Sequence, residues 1–309
     1  MSVYGMLMNK KIFFISVIFL VIFSLFIIIP TYSKRVALNK RSELYLKLAK
    51  QIKKEFRGLN ADVSFMIKDL DYPSLKLSWR ENQRFPAASI IKLPILAVVF
   101  EAIKTKKLSL DDQVMITRKD IAGGSGKIKT MKLPCLLSIR ELLEFMITVS
   151  DNTATNKIIE ILGLDYINAR FKKIGLNNTK LMRKMMDFSR RHNGVENYTS
   201  SRDIVCILEK IYRKELTSDE FSEMAISFLK DQQVNDRLPR YLPKEVVVAH
   251  KTGLERRVVH DAGIVFTPRG NYIICVLVKG AESYKKAKKF IAQVSLLTYN
   301  LYQQSSSPK

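Results

Sequence analysis

Three short groups of residues in this chain set a hydroxyl beside an amine or a carboxamide. The first is Ser89-Ile90-Ile91-Lys92, within RFPAASIIKLPILAVVF. On a helix, a serine and a lysine three positions apart share a face, so the amine reaches the hydroxyl. A serine hydroxyl becomes a useful nucleophile when a base takes its proton. The spacing by itself carries little weight, because it recurs at Ser227–Lys230, Ser283–Lys286 and Ser306–Lys309. Ser89 differs in following Pro86 and heading a strongly apolar helix, whose first N–H groups favour developing negative charge.

The second group, Ser150-Asp151-Asn152, follows the periodic stretch SIRELLEFMITV. Its hydroxyl and carboxamide offer a proton relay and a hydrogen-bond donor, although Ser, Asp and Asn are also the preferred helix N-caps. The third group, Lys251-Thr252-Gly253, comes directly after the strand-like EVVVAH. There a lysine and a threonine could attract a carboxylate, and Gly253 permits close approach of backbone, so that a substrate could lie along the strand. A strand ending in a turn is the plainer alternative.

The elements that must position these groups follow from periodicity. Tyr45, Leu48, Ala49, Ile52 and Phe56 recur at helical spacing among lysines, which predicts a basic amphipathic helix over 34–57. Val63, Phe65 and Ile67 alternate along Asp62–Leu70, a strand. Helices are expected at 90–105, 138–148, 152–162, 201–214 and 217–230, and strands at Glu245–His250, Val258–Phe266 and Tyr272–Val278. A turn at Thr267–Asn271 joins the last two strands, and a helix carrying Phe290, Ile291, Val294 and Leu297 on one face closes the chain. Strands at both ends with helices between them predict an α/β (α+β) sandwich: an antiparallel sheet flanked by helices, with an all-helical lobe. The glycine-rich Ile121–Gly126 is expected to be a flexible loop at a cleft rim.

The 309 residues suffice for a well-buried core, and 47% apolar with 26% charged residues excludes wholesale disorder. Three cysteines exclude a disulfide scaffold or paired-CxxC zinc module; Cys135, Cys206 and Cys275 sit in apolar contexts as free thiols. Ile12–Ile29 is apolar apart from Ser16 and Ser24, preceded by Lys10 and Lys11 and stopped by Pro30. Its length, about 27 Å as a helix, matches the bilayer core, so residues 1–33 are expected to be a transmembrane anchor or a signal segment. Lys34, Arg35, Lys40 and Arg41 after the run weigh toward a cytosolic domain, but long domains translocate largely regardless of charge. Beyond it the divisions are 34–61 (basic helix), 62–304 (globular domain) and 305–309 (polar tail). The formal charge of +23 points to anionic lipid or acidic wall polymer as a counter-surface. The lysines are scattered without an aromatic nucleic-acid motif, so no nucleic acid is expected. No metal or cofactor is called for, and a monomer is expected.

Taken together, the order SxxK, SDN, KTG at intervals of 61 and 101 residues resembles the penicillin-recognising serine hydrolases, class A β-lactamases in particular. The resemblance runs from about Val63 to Tyr302 and includes RFPAAS, ITVSDNTATN and HKTG. It implies Ser89 as the acylated nucleophile, Lys92 as its base or relay, and Ser150 as the group passing a proton to the leaving nitrogen. Asn152 would bind the substrate's side-chain amide. Lys251 and Thr252 would hold its carboxylate, beside Gly253, and the N–H groups of Ser89 and Leu254 would form the oxyanion hole. Arg256 and Arg257 could also meet a carboxylate, or be surface arginines. Class A enzymes also carry a deacylating glutamate some three dozen residues after the SDN serine. Here Asp187 stands nearest, and Glu196-Asn197 lies farther on. The implied activity is β-lactam hydrolysis, with antibiotic resistance as its consequence and an extracytoplasmic or secreted location. The alternatives are a D-Ala-D-Ala carboxypeptidase or other penicillin-binding amidase or esterase acting on peptidoglycan, and a non-catalytic anchored binding protein.

Overall fold

A computed structural model describes residues 35–304 apart from residue 57. The apolar run Ile12–Ile29 and the tail 305–309 lie outside the described residues. No helix among the described residues is long and apolar enough to cross a membrane.

A helix over residues 35–55 (α1) leads into a five-stranded antiparallel sheet. Its strands are β1 (Asp62–Asp69), β2 (Lys76–Trp79), β7 (Val247–Glu255), β8 (Val258–Phe266) and β9 (Tyr272–Lys279), in the spatial order β2-β1-β9-β8-β7. The chain's first strand therefore pairs with its last, Val63 opposite Val278 and Ile67 opposite Ile274. Both faces of the sheet are covered. Alternation sends Phe65, Ile67, Ile274 and Val276 toward α1 and the C-terminal helix α9 (Tyr284–Gln304), while Met66, Ile264, Ile273 and Cys275 face the opposite helical layer. That double burial explains why β8 and β9 read as nearly unbroken apolar runs.

On the second face lies α2 (Lys92–Lys104), buried along almost its whole length, as expected of a helix apolar all round. Around it pack α3 (Ile139–Thr148), α4 (Asn152–Leu162), α5 (Leu164–Ile174), α7 (Ser201–Tyr212) and α8 (Asp219–Lys230). Short pairs complete the lobe: β3 (Phe85–Pro86) with β6 (Tyr198–Thr199), and β4 (Gln113–Ile116) with β5 (Cys135–Ser138). A short helix α6 (Phe188–His192) precedes β6.

Several expectations shift in position. The helix expected over 90–105 is a 3₁₀ turn, Ala88–Ile91, followed by α2. The strand expected to stop at His250 continues through Lys251-Thr252-Gly253 to Glu255, because the motif pairs residue by residue with His260–Ala262 of β8. α5 lies outside the expected helices: its apolar positions Leu164, Ile167, Phe171 and Ile174 are spaced among charged residues, and Gly175 in the left-handed region ends it. The helix α1 buries Leu44, Tyr45, Leu48 and Ile52 in the same core as the sheet. It is locked there by Arg41, which donates to Asp69 at 3.0 Å with both side chains inaccessible to solvent.

Candidate active site

The nucleophile candidate sits where three elements meet. β3 pairs with β6, and Ala87 N donates to the carbonyl of Asn197 at 2.7 Å. Ala88 then adopts φ 44, a left-handed conformation unfavourable for a residue with a Cβ, and the chain turns into the 3₁₀ segment bearing half-buried Ser89. His260 on β8 holds this approach in place. Its Nδ1 accepts from Val278 N at 3.1 Å, so Nε2 carries the proton and donates to the carbonyl of Pro86 at 2.8 Å. Burial pushes its pKa down to about 4, which keeps the ring neutral. Gly253 lies against the same turn. A Cβ on it would stand 3.1 Å from Ile90 Cγ1, 3.2 Å from His260 Cβ and 3.4 Å from Ile90 N. The close approach that this glycine permits is therefore between strand and nucleophile turn, a packing reason separate from the substrate-binding one.

Two lysines without solvent exposure, Lys92 and Lys251, converge on Ser150. Lys92 Nζ is 2.7 Å from Ser150 O, 2.8 Å from Asn152 Oδ1 and 3.1 Å from Ser150 Oγ. Lys251 Nζ donates to Ser150 Oγ at 3.0 Å and to Thr252 O at 3.0 Å. Ser150 Oγ thus bridges the two amines. Burial, reinforced by the charge of Lys251 and opposed by Asp151, holds the Lys92 pKa well below the ordinary lysine range. Three acceptors, Ser150 O, Ser150 Oγ and Asn152 Oδ1, surround Nζ; on loss of one proton the amine keeps two of these bonds and frees a lone pair, the arrangement a general base requires. Lys251 is pushed down to about 7, chiefly by burial and further by Arg237, against the opposing pull of Asp261.

Ser150 occupies the left-handed region at φ 56, which turns its carbonyl and hydroxyl toward Lys92 Nζ. Asp151, next to it, is the N-cap of α4: Oδ1 accepts from Ala154 N at 3.0 Å and Oδ2 from Ile128 N at 2.9 Å. The capping role weighed for this motif belongs to Asp151 and leaves Ser150 and Asn152 for the cleft. The glycine-rich segment is pinned to this motif instead of hanging free. Asn152 N donates to Ser125 O at 3.1 Å, Asn152 Nδ2 to Gly123 O at 2.9 Å, and Ala122 N to Thr153 Oγ1 at 2.9 Å. At Gly126 (φ 130) a Cβ would fall 2.3 Å from Asp151 Oδ2.

These residues border a cleft of about 780 Å³. Ser89, Asn152 and Leu254 line it, with Lys92, Ser150 and Lys251 below its floor. Thr252 alternates to the other face of β7, paired in register with Asp261. His250 lies outside the cleft, bonded through Nδ1 to Asp261 Oδ1 at 2.9 Å and through Nε2 to Asn235 Oδ1 at 3.0 Å. Arg257 donates from its backbone N to Tyr284 Oη and from Nη2 to Gly280 O, whereas Arg256 lines the cleft mouth.

Asp187 is not brought to Ser89. Met186 adopts φ 63, and beyond this reversal the Asp187 carboxylate caps α6, accepting from Arg190 N at 3.0 Å, and borders a neighbouring cavity. The cleft wall there consists of Met185, Met186 and Phe188. Met185 is held at both ends of its peptide unit by Asn156, at 2.7 Å to its N and 3.1 Å from its O. Glu196 is committed elsewhere: Oε1 accepts from Arg183 Nε at 3.0 Å and Nη2 at 2.7 Å. Arg183 and Arg191 also grip Glu255 at the end of β7, at 2.8 and 2.9 Å, which ties the loop to the sheet across the cleft. Two contributors belong to no motif in the sequence. Arg183 is one; the other is Arg237, 1% exposed, whose Nη1 lies 3.0 Å from Asp236 Oδ1 while its Nε makes no hydrogen bond among the described residues. An arginine in an otherwise polar loop has no distinguishing pattern, although the run Arg237-Leu238-Pro239 ahead of a strand is a place to look.

A covered antiparallel sheet and a helical lobe, meeting at a serine with two buried lysines, define the class of active-site serine hydrolases. The profile of the Beta-lactamase enzyme family matches residues 47–302. The chain belongs to that family. A β-lactamase of Bacteroides uniformis is 24% identical over 291 residues, covering 89% of this chain and 98% of that one. The extended-spectrum β-lactamase PER-1 of Pseudomonas aeruginosa is 26% identical over 236 residues, 70% of this chain and 75% of its own. Among solved structures, PBP-A superposes with a TM-score of 0.76 at 31% identity, covering 85% of this chain and 96% of its own. A mutant of PBP-A has been solved as an acyl-enzyme complex with penicillin G, with the same TM-score and identity.

Proposed function

We propose that this protein is a serine hydrolase that opens β-lactam rings by acylation of Ser89. Lys92, with its charge suppressed, takes the Ser89 proton as the oxygen attacks the lactam carbonyl. The N–H groups of Ser89 and Leu254 receive the oxyanion. Ser150 Oγ returns a proton to the departing nitrogen, and Lys251 with Arg237 attracts the substrate carboxylate. Asn152 keeps one amide N–H for the acyl side chain after donating the other to Gly123 O. The observation that supports this most strongly is Ser150 Oγ at 3.1 and 3.0 Å from the two lysine amines. Water then releases the acyl group.

A second observation bears on the pace of that release. The only carboxylate lining the cleft among the described residues is Glu255, ion-paired with Arg183 and Arg191, while Met185 and Met186 present thioethers where a water-activating base would be useful. That arrangement favours slow deacylation, the behaviour of a penicillin-binding peptidase acting on peptidoglycan-derived amides. Mass spectrometry with benzylpenicillin tests both points. A penicilloyl adduct on Ser89, absent in Ser89→Ala, is expected; a transient adduct with hydrolysed product marks the lactamase, and a persistent one the slow variant. No adduct at all would refute acylation.

A further inference from the structure

We infer that the outward faces of α1 and α9 form a docking surface for anionic phospholipid headgroups, laying the domain against a bilayer. This goes beyond the hydrolase activity and stands independently of it. The two helices lie side by side and antiparallel on one face of the sheet: Phe56, just past the end of α1, is 5.4 Å from Phe290, and the Tyr45 hydroxyl is 3.0 Å from that of Tyr302. Residues 35–55 carry seven basic and two acidic residues, and Tyr284–Gln304 carries four lysines and no acid, so nine of the chain's +23 charges reside on these two helices.

What distinguishes this face is the density of its uncompensated charge. Lys40, Lys47, Lys50 and Lys54 of α1 and Lys285 and Lys286 of α9 are exposed, and none forms an ion pair among the described residues. Set among the unpaired lysines of α1, Leu46 is 67% exposed and Val36 49% exposed, apolar side chains that gain by entering the headgroup boundary. Five residues separate the apolar run Ile12–Ile29 from α1. Fully extended they reach about 17 Å, so a run lodged in a bilayer starts α1 at that bilayer's surface. Helix α1 does not border the cleft, and α9 meets it only at its first residue, Tyr284.

The test is amine-reactive footprinting of the full chain reconstituted in vesicles of phosphatidylcholine, alone or mixed with phosphatidylglycerol. Lys106 and Lys119, on the far side of the sheet, serve as reference. In the anionic vesicles Lys47, Lys50, Lys54, Lys285 and Lys286 should label about fivefold more slowly or less, with the effect reversed by high salt. Replacing Lys47, Lys50 and Lys54 together with Glu should abolish the protection of Lys285 and Lys286, while penicilloyl labelling of Ser89, as a check of folding, is unchanged. Equal labelling in the two compositions, protection indifferent to salt, or protection conferred only by a soluble acidic polymer would each overturn the proposal.

Discussion

The most exposed consequence of the site concerns pH. Lys251 is held at about 7 by burial and by Arg237, and only its ammonium form attracts a substrate carboxylate. Lys92 lies well below its ordinary range and acts in its amine form. The second-order acylation constant should therefore rise with pH at the acid end, as Lys92 loses its proton, and fall at the alkaline end, as Lys251 does. With a value of about 7, about half of Lys251 is charged at pH 7 and about a tenth at pH 8, so acylation should drop about fivefold over that step and about tenfold per unit beyond. Stopped-flow measurement with a fluorescent penicillin from pH 5 to 9 reads this directly, since the constant for acylation reports the free enzyme. Lys251→Gln should lower the plateau and flatten the alkaline limb while retaining the acid one. A profile that stays level from pH 7 to 9, or an alkaline limb that survives in Lys251→Gln, would refute the assignment. In the folding equilibrium the slope has the same sign as for a carboxylate whose folded-state pKa is depressed, displaced to the alkaline range. The unfolded chain keeps Lys251 protonated up to about 10.4, so unfolding takes up a proton and this group's contribution to stability grows as pH rises from about 7 toward 10.

Three further outcomes follow from contacts described above. Gly253→Ala inserts a methyl group against Ile90 and His260; a loss of about 1–3 kcal/mol in a urea melt is expected, with acylation slowed more than binding. Met185→Glu places a carboxylate on the cleft wall at a backbone position that Asn156 already fixes, so the Ser89 adduct should shorten in lifetime while its rate of formation changes little, as followed by mass spectrometry. Glu255→Gln removes the anchor shared by Arg183 and Arg191, and substrates with bulky acyl side chains should gain about tenfold in acylation relative to small ones; an unchanged ratio would show that the tie does not limit the cleft.

Much of this was legible in the linear chain, and the reason is local. Helices and strands come from periodicities that span a dozen residues, so α3, α4, α7, β8 and β9 appear close to where their patterns place them. The three motifs, their order and the unbroken apolar character of α2 are also properties of short stretches, and they carried the hydrolase assignment. The site's quality depends on contacts between segments 61 and 101 residues apart, which no local pattern encodes. Strand pairing with β8 drew Lys-Thr-Gly inside β7 and set Gly253 against the nucleophile turn. A single left-handed residue, Met186, sent Asp187 to a helix cap and left a methionine wall in its place, where counting residues had offered a carboxylate. Burial, a property of the folded whole, suppresses the charge of Lys92 and turns an ordinary lysine into a base.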